Sequence, residues 1–310
     1  MRWYLILCLI IIVLIIVVSA VYAIMSYYKI ETIPKFDVNT LKRIETIATT
    51  IEDYALQKIQ DEQCSTMNLY GFGKNKLLPN IDLMGQTYSV SQIYNTSLLV
   101  AYSWDYYCGT NDTSEIDKIL APISFFKPIN SNSINLGVVF QDASHYYIAL
   151  NSGYNKITIV DDLEIQPTAY GNRFGEIVSS GIYKMDLIII DILKTMNLST
   201  DKTMILCGHS TGGDVIALLA DYFVDAGYKT KFFSTATVKM GNTALMTRLN
   251  NIPHVVVVNI DDPYIYLPPS NSYVNFIDPE TILFNKGVGS ANHHLYNYLD
   301  FFRSQLTFNS

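Results

Sequence analysis

Charge is scarce in this chain. Asp, Glu, Lys and Arg make up 16% of its 310 residues, against about 25% in ordinary soluble domains. The net charge is −7 and no basic run or stripe occurs anywhere, which excludes a polyanion such as nucleic acid as a partner. Cysteine is limited to positions 8, 64, 108 and 207. No pair has metal-ligand spacing and none stands beside a histidine, so neither a zinc site nor a cysteine nucleophile is supported. Cys8 lies in an apolar terminus and Cys207 in a buried-type strand, which leaves Cys64 and Cys108 as partners for one disulfide. Internal repeats and low-complexity linkers are also absent. A terminal segment aside, the length suits one α/β domain with a sizeable core.

The longest apolar run is Trp3 to Met25, 23 residues without a charge, between Arg2 and Lys29. It is long enough to span a hydrocarbon core, which takes about 20 residues. Val21-Tyr-Ala23 resembles a signal-peptidase site, but the run exceeds the roughly 7–15 apolar residues of a secretory signal. The expectation is an uncleaved anchor over residues 1–28 and a catalytic domain over 29–310, lumenal or extracellular, or secreted if the segment is cleaved. That side of a membrane suits the cysteine pair and the glycosylation sequons at Asn95, Asn111 and Asn197.

The chain is organised around Thr203 to Ala220. Met204 to Cys207 reads as a fully buried strand and Val215 to Phe223 as an apolar helix, so Gly208-His-Ser-Thr-Gly212 makes the turn between them. Ser210 stands at its apex. A serine on a tight strand-to-helix turn is held with its hydroxyl clear of its neighbours, and glycines two positions either side let strand and helix approach. This is a nucleophile elbow. The backbone N–H of Thr211, at the helix start, is placed to donate to an oxyanion.

Around it, Asp37 to Ile59 reads as an amphipathic helix, Gln63 to Gly85 as irregular and Ser89 to Tyr107 as helical. Gly137 to Gln141 and Tyr146 to Leu150 read as a β-hairpin, Ile177 to Met196 as one long helix, and Lys231 to Val238 and His254 to Ile260 as strands. Strands alternating with helices imply an α/β fold with a mostly parallel sheet covered on both faces.

A serine nucleophile needs a base, and the base an orienting acid. In α/β-hydrolases the order is Ser, then Asp or Glu, then His. His145, His209 and His254 precede any acid in that order, which leaves His293 and His294. The strand from His254 ends at Asp261-Asp262-Pro263, where an acid belongs, with Asp278 as the alternative.

These residues resemble the class 3 lipases, the fungal triacylglycerol-lipase type. Gly208-His-Ser-Thr-Gly-Gly213 is similar to that family's GHSLGG, and Ser234 to Asn242 to the strand and turn that follow it, without its Phe-Gly and Pro. Asp262 stands five residues before Leu267-Pro-Pro269, as the family's acid does. His294-Leu295, with Tyr298 following, resembles the terminal histidine segment. Ile148 to Gly153, Asp162-Leu163 and Val178 to Gly181 resemble its upstream segments, and the likeness spans roughly residues 90 to 302.

The resemblance implies a membrane-anchored serine hydrolase acting on lipid esters without metal or cofactor. Ser210, Asp262 and His294 would form the triad, with His293 a one-residue alternative as base. The N–H groups of Thr211 and Gly153 would form the oxyanion hole. At Asn151-Ser-Gly153 the family has Arg-Gly-Thr or Arg-Gly-Ser, so a hydroxyl donor is missing. That departure favours the other reading, a catalytically weak or silent protein that binds lipid or a protein partner. Tyr154 to Leu163, with Ile157, Ile159 and Val160, falls where the family's lid lies.

Overall fold

The computed structural model describes residues 90–108, 120–131, 134–151, 165–268, 272–276, 281–284 and 293–307. The expected anchor, the helix from Asp37, Cys64 and the lid segment Tyr154 to Leu163 lie outside the described residues. Among the described residues no helix is long and apolar enough to cross a membrane.

Helix α1 (Val90–Tyr107) leads into three strands, β1 (Ser124–Ser131), β2 (Ile134–Gln141) and β3 (His145–Leu150). A short pair, β4 (Pro167–Ala169) and β5 (Ile177–Ser179), precedes α2 (Ser180–Lys194). There follow β6 (Thr203–His209), α3 (Thr211–Asp225), β7 (Thr230–Thr235), α4 (Thr243–Leu249), β8 (His254–Asn259), β9 (Thr281–Phe284) and α5 (Leu295–Thr307). Among the described residues seven strands form one sheet in the order β1-β2-β3-β6-β7-β8-β9. The first three are antiparallel neighbours, and every pairing from β3 to β9 is parallel.

The central strands are apolar without alternation because both faces of the sheet are covered. On β6, Met204 and Leu206 join one core with residues of α2, α3 and α4, while Ile205 and Cys207 join the other with α1 and α5. Val256 and Val258 of β8 divide from Val255 and Val257 in the same way. Cys207 is a free, buried thiol, and Cys108 is half of a disulfide.

The expected helix over Ile177 to Met196 starts three residues late. Ile177 and Val178 are β-branched, and their backbone is committed elsewhere: the Ser179 N–H donates to Met240 O at 2.8 Å and the Asn242 N–H to Ile177 O at 2.9 Å. Four strands and helices without a sequence expectation appear, β1, β4, α4 and β9. Pro128 lies within β1 opposite Val138, as suits the outermost strand of the described sheet.

Candidate active site

The parallel strands all point their carboxyl ends to one edge of the sheet, where ligands of open α/β folds bind. Ser210 sits there between β6 and α3 with φ 55° and ψ −134°, a region that non-glycine residues rarely occupy. Hydrogen bonds on both sides enforce it. The Ser210 N–H donates to Thr235 O at 2.8 Å, and its carbonyl accepts from the Gly213 and Asp214 N–H groups at 2.7 and 3.2 Å. Two glycines are required by space: a β-carbon on Gly208 would collide with the backbone of Gly212, and one on Gly212 would stand 2.9 Å from Leu150 O and 3.1 Å from Asn151 O. Thr211 is the first residue of α3, and a first-turn N–H has no acceptor within its own helix. Gly153 lies outside the described residues, and the described chain on that side ends at Asn151, just past β3.

Asp262 follows β8 by three residues and is fully buried. Its Oδ1 accepts the Tyr264 N–H at 2.9 Å. Its Oδ2 is 2.7 Å from His293 Nδ1 and accepts the Tyr298 hydroxyl at 3.3 Å. Tyr298 in turn accepts the Asn259 N–H at 3.2 Å, and burial, followed by the Asp262 charge, raises its phenol well above the ordinary range. Tyr298 therefore stays a neutral donor. The other nitrogen of His293, Nε2, stands 2.6 Å from Ser210 Oγ. A carboxylate at Nδ1 requires the proton there, so Nε2 carries the lone pair and accepts from the serine. The Tyr264 ring lies against the imidazole with centroids 4.6 Å apart.

His294, expected as the base, is not the residue between Ser210 and Asp262; its neighbour is. The Asn297 N–H donates to His294 O at 3.0 Å, which makes His294 the cap at which α5 begins, and its ring stacks on Tyr296 at 5.5 Å. His293 precedes that cap, and its ring lies between Ser210 and Asp262.

His209, set aside as a base, is buried against His293 with ring centroids 5.3 Å apart. Burial first, and then the neighbouring His293, hold it well below the ordinary histidine range, so its ring is neutral. Its Nε2 is 2.7 Å from the His293 carbonyl and its Nδ1 is 2.8 Å from the Thr235 hydroxyl. A carbonyl can only accept, so the proton is on Nε2 and Thr235 donates to Nδ1. Neither this bond nor that of Tyr298 was legible beforehand. The only signals were an imidazole beside the nucleophile and a tyrosine in the terminal helix.

No protein-family model matches this chain, and no curated protein matches its sequence. Solved structures do. The mono- and diacylglycerol lipase of Aspergillus oryzae superposes with a TM-score of 0.53 at 18% identity, over 62% of this chain and 79% of the other. Lipase II of Rhizopus niveus superposes with 0.52 at 15% identity, over 66% and 84%. With its mostly parallel sheet, helices on both faces and a serine elbow at the strand ends, the chain has the α/β-hydrolase fold in the form that fungal lipases carry.

Proposed function

We propose that the chain is a serine carboxylic-ester hydrolase that acts on lipid esters. The observation that carries this reading is the continuous relay from Ser210 Oγ through His293 to Asp262, at 2.6 and 2.7 Å, mounted on a strained elbow. In the first half-reaction Ser210 Oγ attacks the ester carbonyl while His293 Nε2 takes its proton and passes it to the leaving alcohol. Asp262 orients the imidazole and stabilises the imidazolium. The Thr211 N–H, joined by that of Gly153, holds the tetrahedral oxyanion. Water, deprotonated by His293, then releases the acid and restores the serine.

Two features support a lipid ester as substrate. Ile260, Tyr264, Tyr266 and Leu267, around the acid, are all exposed large apolar or aromatic residues, and the solved structures of similar fold are lipases by name. Trp3 to Met25 would keep the enzyme on the membrane that holds its substrate. A second reading, lipid binding without turnover, draws on the Asn151-Ser-Gly153 segment, where a hydroxyl donor to the oxyanion is replaced by glycine.

Hydrolysis of p-nitrophenyl butyrate, emulsified triolein and a phospholipid by the wild type and Ser210→Ala separates the two. The hydrolase reading expects turnover of at least one ester and a fall of several orders of magnitude in the variant. Variant activity within tenfold of the wild type contradicts the triad, and no turnover of any ester by the wild type favours binding alone.

A further inference from the structure

We propose that His209 is a positioning residue of the site, which fixes His293 by donating a hydrogen bond to its backbone carbonyl. The inference rests on the hydrolase reading of the same site. His209 and Ser210 are consecutive, and both reach His293: Ser210 Oγ meets the imidazole at Nε2, while His209 Nε2 meets the carbonyl at 2.7 Å. One contact sets the distance of the base from the nucleophile. Two, from adjacent residues of one rigid strand end, also set its rotation.

His209 is itself immobilised. Its Nδ1 faces the Thr235 hydroxyl on the neighbouring strand β7 at 2.8 Å, and with the proton held on Nε2 by the His293 carbonyl, Thr235 is the donor to it. The Tyr298 ring packs edge-on against it at 5.4 Å, and the same Tyr298 hydroxyl bonds Asp262. The base is thereby tied to one buried imidazole through its Nε2, the acid through the Tyr298 that packs on it, and the nucleophile as its neighbour in the chain. The titratable groups around it are His293 and His294 at the entry to α5, Tyr298 on α5 and Asp262 after β8. A base displaced by about 1 Å loses on the order of a hundredfold in rate, so a bond that does no proton transfer still governs turnover.

The test uses the full chain, with p-nitrophenyl butyrate as substrate and a fluorophosphonate as active-serine probe. His209→Phe keeps a ring of similar size without the donor, and His209→Gln restores an amide N–H. The expected result is a ten- to hundredfold fall in kcat for His209→Phe with KM within twofold, and recovery to within about fivefold of wild type for His209→Gln. Thr235→Val, which keeps the imidazole but removes its hydrogen bond at Nδ1, should lower kcat by a smaller factor with the same unchanged KM, and serves if His209→Phe does not fold. Wild-type kcat in His209→Phe, or an equal loss in the Phe and Gln variants, overturns the proposal while leaving the hydrolase reading intact. If the wild type neither turns over the ester nor reacts with the probe, the reading and the inference fall together.

Discussion

Ser210 concentrates the chemistry because its backbone is forced into a conformation that no neighbouring side chain can crowd. The cost of holding a serine there, of order 1–3 kcal/mol, is offset by the bonds to Thr235, Gly213 and Asp214. The same scale decides which histidine works. His293→Ala should lower ester hydrolysis by at least a thousandfold, while His294→Ala, which removes a ring stacked on Tyr296, should stay within about fivefold of wild type. Turnover measured on both variants checks this, and a dead His294→Ala beside an active His293→Ala would return the base to the residue that the motif spacing favours. The elbow was legible in the sequence because glycine is the only residue that fits at Gly208 and Gly212. The base was not, because adjacent histidines differ only in which one caps α5, and a cap is defined by the backbone bond from Asn297 rather than by side-chain type.

Elements that position the site bury charge at some distance from it. Asp186, on the inner face of α2, is 1% exposed, and one of its carboxyl oxygens has no hydrogen-bond partner among the described residues. Burial, and then the charge of Asp221 on α3, raise its carboxyl well above the usual range. Asp221 itself is bonded by Arg173, by Arg248 of α4 at 2.8 Å and by the Tyr170 hydroxyl at 3.2 Å, which pins α3 to α4 and to the turn between β4 and β5. For Asp186 the folded state holds its proton to higher pH than the unfolded chain. Stability is therefore lost as pH rises from about 3.9, the unfolded value, through the folded one. Asp186→Asn removes that slope. Its midpoint relative to wild type should be higher at pH 7.5 than at pH 4.5 in thermal melts; a difference independent of pH would mean that the carboxyl ionises freely in the fold. The paired helices and strands were readable from periodicity, but this carboxyl was not, since an Asp three residues after Tyr183 looks like any solvated helix position until α2 is docked on the sheet.

At the scale of the molecule, a parallel sheet brings residues more than 80 positions apart to one edge. Ser210 and His293 meet there because β6 and the entry to α5 end on the same side, a consequence of the uniform strand direction from β3 to β9. The apolar N-terminus belongs to the same reading: a chain lacking residues 1–28 should leave the membrane fraction and keep its esterase activity, checked by sedimentation and turnover. Activity that still sediments points to a second lipid-binding surface. The central claim, that Ser210 is a nucleophile activated through His293, is tested most directly by mass spectrometry of the full chain after reaction with a fluorophosphonate. The account predicts one adduct, on the peptide carrying Ser210, absent from Ser210→Ala, slowed at least a hundredfold in His293→Ala and unchanged in His294→Ala. No adduct on the wild type, or one that forms equally fast in His293→Ala, would contradict it.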